Sequence, residues 1–235
     1  MIDIHSHIIF DVDDGSKSLE QSINYLKEAK KIGVNKVVCT PHMSHGHKDK
    51  ALKIIQNFKK IKKEANKIGI DLYIGNEILY NDNTLNLLKT KKITTLNGTK
   101  YVLIEFKRNE NQNFDTIISI LNDFLDQGYY PILAHPEEYI NYRNINNYKV
   151  LKENGVLLQL DSTNLVLSKT TIKKYKFSKK LIKERLIDFI ASDTHCTKKR
   201  DYKSLKKAYK KVKRIDKSYA NMIFIENQLE IVGDK

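Results

Sequence analysis

Short apolar runs rich in β-branched residues alternate along this chain with amphipathic stretches of helical period. Strands that alternate with helices in this way form parallel β-α-β units. Seven such runs spaced by roughly 30 residues favour a barrel or near-barrel, with an open doubly wound sheet as the alternative. The predicted strands are residues 2–4, 36–39, 71–74, 101–104, 131–134, 156–160 and 188–191.

Helices are predicted between most of these strands. Apolar residues recur at helical spacing in residues 18–32, 51–68 and 114–127, and each stretch ends at or before a glycine, the usual residue after a helix. A fourth, shorter helix ends at Gly155. Residues 162–180 are the least periodic, and we expect a loop there. A length of 235 residues fits one domain, spanning residues 1–235.

The bulk composition restricts the class of protein. No apolar run approaches the length of a membrane span, and the N-terminus lacks an apolar signal region, so we expect a cytoplasmic protein. The two cysteines, Cys39 and Cys196, form no metal or redox motif. The formal net charge is +14, but only five of the 42 basic residues are arginine, which disfavours nucleic acid as a partner. The densest basic stretch, residues 198–214, is a candidate docking surface for an acidic partner.

Nearly every predicted strand is followed by a side chain that can bind a metal ion. Because reactive groups lie at the C-terminal ends of the strands in barrel enzymes, we expect these side chains to converge. Each of them alone has an ordinary structural explanation, such as a helix cap or a surface ion pair. Their joint placement predicts a metal site. The strand-end candidates are His5, His7, His42, Glu77, Glu105, His135, Asp193 and His195.

The spacing of His5 and His7 is informative by itself, because alternate residues of an extended chain project to the same side. His45 and His47 share this spacing but lie in a predicted loop, and we do not interpret them as ligands. Imidazole and carboxylate donors without thiolate suit manganese, iron or zinc. Such ions would attract a phosphate dianion and activate water against it.

These motifs resemble the polymerase and histidinol phosphatase (PHP) superfamily. The segments 5–7, 40–42, 135–137 and 192–195 carry that resemblance. The opening residues 1–7, with Asp14 in the Val-Asp-Asp-Gly segment shortly after, are more specific. Together with Glu77, Glu105 and residues 135–139, they resemble the capsule-type, manganese-dependent bacterial protein-tyrosine phosphatases.

The resemblance implies a distorted seven-stranded (β/α)7 barrel with the metal site at the C-terminal ends of its strands. It implies three divalent ions, manganese first, with iron or zinc as alternatives. The first ion would be bound by His5, His7, Glu77 and Asp193, the second by Glu77, Glu105 and His135, and the third by Asp14, His42 and His195. The expected reaction is hydrolysis of phosphotyrosine on a tyrosine autokinase that regulates capsular or exopolysaccharide synthesis.

One position departs from the pattern that the resemblance implies. An arginine is expected directly after His135-Pro136-Glu137, where it would bind the phosphate, but this chain has Glu138. Arg143 is a candidate to replace it, and Arg200 matches a second arginine expected after the Ser-Asp-x-His motif. Loss of one transition-state donor costs about 3 kcal/mol, or about a hundredfold in rate.

Two other functions remain open. The first is a related phosphoesterase that acts on a small phosphate monoester such as histidinol phosphate, or on a nucleic-acid end. The second is a non-catalytic, metal-binding scaffold that docks through residues 198–214. A homo-oligomer also remains an open alternative.

Overall fold

The computed structural model describes residues 1–107, 113–139, 144–197 and 200–233. Within these residues it is an α/β fold built from parallel strands and helices. The strands are β1 (Ile2–Asp3), β2 (Lys36–Cys39), β3 (His42–Met43), β4 (Asp71–Ile74), β5 (Glu77–Leu79), β6 (Tyr101–Glu105), β7 (Tyr130–Ala134), β8 (Leu157–Asp161) and β9 (Phe189–Ala191). Each of the seven predicted strands is confirmed to within a few residues, and β3 and β5 are additional.

The strands of the described residues form two parallel sheets. The first has the order β1-β2-β4, and the second has the order β3-β5-β6-β7-β8-β9. The two additional strands follow closely on predicted ones, because Thr40-Pro41 separates β2 from β3 and Gly75-Asn76 separates β4 from β5. As β2 pairs with β4 and β3 pairs with β5, the same two chain segments continue from one sheet into the other.

The helices are α1 (Leu19–Lys31), α2 (Lys48–Ile68), α3 (Thr84–Lys89), α4 (Phe114–Asp126), α5 (Ile145–Glu153), α6 (Ile172–Lys183), α7 (Tyr202–Ile215), α8 (Lys217–Asn221) and α9 (Asn227–Val232). A π-helical turn, Met222–Glu226, joins α8 to α9. Gly69 adopts a left-handed conformation after α2, as its position predicted. None of the described helices is long and apolar enough to cross a membrane.

The expectation of a loop at residues 162–180 is wrong for its second half. Two short 3-10 turns, Ser162–Leu165 and Leu167–Lys169, are followed by α6. The side chain of Thr171 caps this helix by accepting a hydrogen bond from the backbone N–H of Lys174. The buried face of α6 begins only at Phe177, so the first turn of the helix has no apolar periodicity to detect.

Two apolar clusters hold the strands in place. The larger one packs the helices against the outer faces of the strands. The smaller one joins alternate residues of several strands, including Ile4, Val38, Leu103 and Ile132, and Ile231 of α9 packs against it. Because successive side chains of a strand point to opposite faces, this inner cluster lies on the face opposite to the helices. The strands are therefore packed on both sides, and their C-terminal ends are positioned rigidly.

Candidate metal centre

The structure brings all nine predicted ligands together at the C-terminal ends of the strands. They fall into groups whose donor atoms lie within 4.8 Å of one another. The groups are His5, His7 and Asp193; His5, Glu77 and His135; His42, Glu77 and Glu105; and His7, Asp14, His42 and His195. His45 and His47 are exposed and belong to none of these groups.

The tightest part of the cluster has the donor spacing of a metal-binding site. The Nε2 atoms of His5 and His7 are 3.2 Å apart, and each lies 3.1–3.5 Å from Glu77 Oε2 and Asp193 Oδ1. Donor atoms that are each about 2.1 Å from one ion stand about 3.0–3.4 Å from one another. Four side chains thus present their donors at the separations that a single ion requires.

Hydrogen bonds fix the two imidazoles so that their lone pairs face each other. His5 Nδ1 lies 2.9 Å from Gln159 Oε1, and His7 Nδ1 lies 2.8 Å from Asp13 Oδ2. Because amide and carboxylate oxygens only accept, each Nδ1 donates. In the neutral imidazole each Nε2 then carries a lone pair. Two lone pairs facing each other at 3.2 Å, beside a carboxylate, are favourable only with a cation between them.

His135 is oriented in the same way on the other side of Glu77. Its Nδ1 lies 2.9 Å from Asp161 Oδ1, and its Nε2 lies 2.7 Å from Glu77 Oε1. The two oxygens of Glu77 therefore face different imidazoles, since Oε2 is directed to His5, His7 and His42. Glu77 is placed to bridge two ions.

Charge in the cluster is unbalanced without a cation. Glu77 Oε2 and both carboxylate oxygens of Asp193 are buried, and among the described residues their polar neighbours are imidazole nitrogens and, for Asp193 Oδ2, the guanidinium of Arg200. Despite burial, which opposes the charged form, hydrogen bonds to Asp13 and Glu77 raise the pKa of His7 to about 9. Burial is likewise outweighed at His42, where Asp14 and Glu77 raise the pKa to about 10. Protons thus neutralise carboxylates that divalent ions would otherwise neutralise, and the donor set fits such ions.

The remaining predicted ligands lie at the rim of the cluster. Asp14 Oδ1 is 3.4 Å from the Nε2 atoms of both His42 and His195, again the separation expected around one ion. Asp14 is placed there by a tight turn at Gly15. A Cβ atom on Gly15 would lie 2.1 Å from the backbone oxygen of His7, so only glycine fits.

Glu105 differs from its predicted grouping. The resemblance implied that it shares an ion with His135, but its donors lie near Glu77 and His42 instead. The parallel pairing of β5 with β6 sets Glu105 opposite Leu79, which lies two residues after Glu77. Glu105 therefore extends the cluster toward His42 rather than toward His135.

Two ligands occupy an unusual backbone conformation. His135 directly follows β7, Asp193 lies two residues after the end of β9, and their φ angles are 52° and 46°. Residues other than glycine avoid this left-handed region, at a cost of about 1–3 kcal/mol each. Such strain is typical of functional sites. Here the left-handed residue comes after the end of its strand, and its side chain enters the cluster.

The structure describes one of the two predicted arginines, Arg200. Arg143 lies outside the described residues. The guanidinium of Arg200 lies 3.1 Å from Asp193 Oδ2 and 3.1–3.2 Å from the ring nitrogens of His195, so it belongs to the edge of the cluster. Its side chain is about one-third exposed, which leaves it accessible to a ligand.

Glu138, which stands where the resemblance implies an arginine, is paired with a lysine. Its carboxylate accepts hydrogen bonds from Lys174 Nζ at 2.5 and 2.6 Å. Both side chains line a cavity of about 530 Å³ together with Asp161, Lys169 and Arg200. The carboxylate that stands where an arginine was expected is thus accompanied by a cation of α6.

The residues that orient the ligands were not predicted from the sequence. Asp161 ends β8 and forms a group with His135 and Asp193, which makes it a further candidate ligand. Its position at a strand end was the available signal. Asp13 and Gln159 hold His7 and His5, but nothing in their spacing distinguishes them from ordinary polar residues.

Comparisons with known proteins identify the family of the chain. The family model for capsular polysaccharide synthesis, CpsB/CapC, matches residues 1–233. The chain is 38% identical over 241 residues to the tyrosine-protein phosphatase CpsB of Streptococcus agalactiae, covering 99% of this chain and 98% of that protein. It is 32% identical over 215 residues to the tyrosine-protein phosphatase YwqE of Bacillus subtilis, covering 89% and 83%.

A solved structure shows the same fold. It comes from work on YwqE of Bacillus subtilis and CpsB of Streptococcus pneumoniae, described as metal-dependent tyrosine phosphatases. It superposes on the whole of this chain and on 96% of its own, with a TM-score of 0.84 and 27% sequence identity. These matches confirm the resemblance seen in the sequence: the chain is a member of the CpsB/CapC family of capsular polysaccharide synthesis.

Proposed function

We propose that this chain is a metal-dependent phosphoric monoester hydrolase that removes phosphate from phosphotyrosine on proteins of capsular polysaccharide synthesis, with a tyrosine autokinase as the substrate. One observation carries the proposal: nine imidazole and carboxylate side chains converge at donor separations that suit metal ions. The names of the relatives support phosphotyrosine as the substrate. The cytoplasmic location expected from the sequence stays a prediction.

The proposed cofactor is a cluster of three divalent ions, manganese first. His5, His7, Glu77 and Asp193 would hold one ion, His135 and the second oxygen of Glu77 another, and Asp14, His42 and His195 the third. Glu105, which the resemblance assigned to the second ion, lies beside Glu77 and His42 and would be a further ligand of the cluster. Bound ions would polarise the phosphate oxygens and activate water for attack on phosphorus. Asp13, Gln159 and Asp161 keep the imidazoles in the tautomer that exposes their lone pairs.

Arg200 is proposed to bind the phosphate from the side opposite to the metal ions. Its guanidinium is charged at every physiological pH and offers paired donors that suit phosphate oxygens. Asp193 holds it at the boundary between the cluster and the cavity. No phospho-enzyme is needed, because water can attack directly. Arg143 keeps its proposed role as a second phosphate-binding arginine on the sequence alone.

The two sheets are proposed to form one distorted barrel of seven strand segments. The backbone N–H of His7 donates to Thr194 O at 2.9 Å and that of Asp193 to His5 O at 3.0 Å. These bonds connect the ends of β1 and β9, the outermost strands of the two sheets. The inner apolar cluster, shared by strands of both sheets, supports closure.

The test is a comparison of substrates with the manganese-loaded protein. We expect phosphate release from a phosphotyrosine peptide at a kcat/KM at least about a hundredfold above that for histidinol phosphate, with no cleavage of single-stranded DNA. His135→Ala serves as the inactive control, since it removes a ligand. Preference for histidinol phosphate would assign the chain to small phosphate esters, and a manganese-loaded protein that releases no phosphate would make it a scaffold.

A further inference from the structure

The cavity beside the metal centre continues into a second one on the protein surface. Ser168, in the 3-10 turn before α6, lines both of them. The second cavity has a volume of about 400 Å³ and lies between this turn and α7. A third, smaller cavity of about 190 Å³ shares Lys211 and Arg214 with the second. The three cavities follow one another away from the metal ligands, and we call them the α7 groove.

The α7 groove is positively charged beyond Ser168. Lys207, Lys210, Lys211 and Arg214 line the second cavity, and none of the described residues that line it is acidic. The helix α7 itself contains no acidic residue. The acidic residues at its two ends are already engaged: Asp201 pairs with Lys169, and Asp216 pairs with Arg185. The positive charge of the groove is therefore not neutralised from within its own helix.

Contacts within the protein hold one cation of the groove in a defined position. Lys211 Nζ donates to Leu165 O at 2.9 Å and lies 4.9 Å from the centre of the Tyr175 ring. These contacts fix a cation at the junction of the second and third cavities. Leu167 and Ile215, which are 48% and 58% exposed, provide apolar surface beside it.

We propose that the α7 groove binds the segment of the phosphoprotein substrate adjacent to its phosphotyrosine, and that this segment is acidic with an apolar side chain. This inference rests on the proposed function, because the phosphotyrosine anchors the segment at the metal centre. The groove begins at the cavity where that residue would enter, so an extended chain can pass from one to the other. Complementary charge along this path would raise the association rate and select the partner.

Other occupants match the groove less well. Single-stranded nucleic acid binds through aromatic rings on which bases stack. The aromatic residue of the two outer cavities is Tyr175, and Lys211 lies over its ring. A membrane surface is flat, whereas the cations here line concave cavities.

The test replaces two lysines of the second cavity with the double variant Lys207→Glu/Lys210→Glu. Three substrates are compared in steady-state assays: a phosphotyrosine peptide with acidic flanks, the same peptide with neutral flanks, and p-nitrophenyl phosphate. We expect kcat/KM for the acidic peptide to fall about tenfold through KM. Rates with the neutral peptide and p-nitrophenyl phosphate stay within about twofold, since the neutral flanks carry no charge to interact with the altered side chains and p-nitrophenyl phosphate is too short to reach them.

The matched control is Lys59→Glu/Lys63→Glu on α2, a helix that contributes no described residue to the three cavities of the α7 groove. It changes the net charge equally and should leave all three rates unchanged. An equal loss for the acidic peptide in both variants would overturn the proposal, because only the total charge would then matter. A loss with p-nitrophenyl phosphate would also overturn it, as would a DNA oligonucleotide that binds through these lysines in place of the peptide.

Binding separates this proposal from the proposed function. Fluorescence anisotropy of the labelled acidic peptide is measured for the wild-type protein and both variants. If the wild-type protein releases no phosphate but binds the peptide through Lys207 and Lys210, the groove stands and the hydrolase assignment fails. If phosphate is released and binding is unaffected by the substitutions, the groove assignment fails alone.

Discussion

At the scale of single residues, the site depends on side chains that each contact two different partners. Asp193 faces His5 and His7 with Oδ1 and faces Arg200 with Oδ2. Burial and the neighbouring carboxylate of Asp161 raise the pKa of Asp193 to about 6 in the absence of metal. A cation on each side is what keeps such a buried carboxylate ionised. Arg200 supplies one of these cations and also lines the cavity.

Substitution of Arg200 by alanine should separate phosphate binding from metal binding. We expect Arg200→Ala to lower kcat on a phosphotyrosine peptide by about a hundredfold, because one donor to the transition state is lost. The bound metal, counted by mass spectrometry, should not change, since Arg200 binds no ion. Arg185→Ala is the control, as this arginine pairs with Asp216 at the surface. An unchanged kcat in Arg200→Ala would make Arg200 an ordinary surface charge.

At the scale of elements, α6 alters the chemistry of the segment after β7. The Glu138 carboxylate would repel a phosphate dianion by itself, but Lys174 of α6 pairs with it. The pair is only partly exposed, with 26% and 12% of the two side chains accessible, so solvent screens it incompletely. A helix that was expected to be a loop therefore provides the charge that makes Glu138 compatible with the site.

A double-mutant cycle tests this pairing. Lys174→Ala leaves Glu138 without its lysine, and we expect kcat/KM for a phosphotyrosine peptide to fall about five- to tenfold through repulsion. Glu138→Gln should cost little or increase the rate, and the double variant should recover most of the loss. If the two single effects simply add, the pair has no role in substrate binding. Metal content, measured in parallel, should be the same in all four proteins.

At the scale of the whole molecule, metal binding and folding are expected to be linked. The cluster gathers side chains from β3, β5 and β6 and from the segments that follow β1, β7 and β9, so ions bound there connect segments from both ends of the chain. An ion that binds the folded state alone stabilises it by about 2.7 kcal/mol at a hundredfold excess over its Kd. In a domain of this size, that corresponds to roughly 5–10 °C in Tm.

The prediction is a rise of at least about 5 °C in Tm when manganese is added to chelator-treated protein at neutral pH. His7 and His42, whose pKa values are raised to about 9 and about 10, must lose protons to bind metal. Protons therefore compete with manganese, and the gain in Tm should shrink as pH falls toward 5. Thermal scans at several pH values check this, with His135→Ala as the control of reduced gain. A gain independent of pH would contradict the assignment of these imidazoles as ligands.

Local sequence patterns were enough to predict most of the strands and several of the helices. The strand at 36–39 and the helix ending before Gly69 were predictable, since apolar periodicity and a glycine stop are local signals. The short strands β3 and β5 were not, because their pairing depends on where β2 and β4 are interrupted. Residues 172–180 of α6 were missed for a similar reason, as the contacts that stabilise the start of this helix come from a cap and a distant carboxylate.

The sequence by itself determined which residues can bind metal and that they lie at strand ends, because donor chemistry and strand periodicity are properties of neighbouring residues. Only the tertiary structure decided the distances among those donors. The placement of Glu105 beside His42 and the addition of Asp161 follow from the order and register of parallel strands. The same is true of the Glu138–Lys174 pair and of the α7 groove. Distances between segments far apart in the chain are set by packing, and no local pattern encodes them.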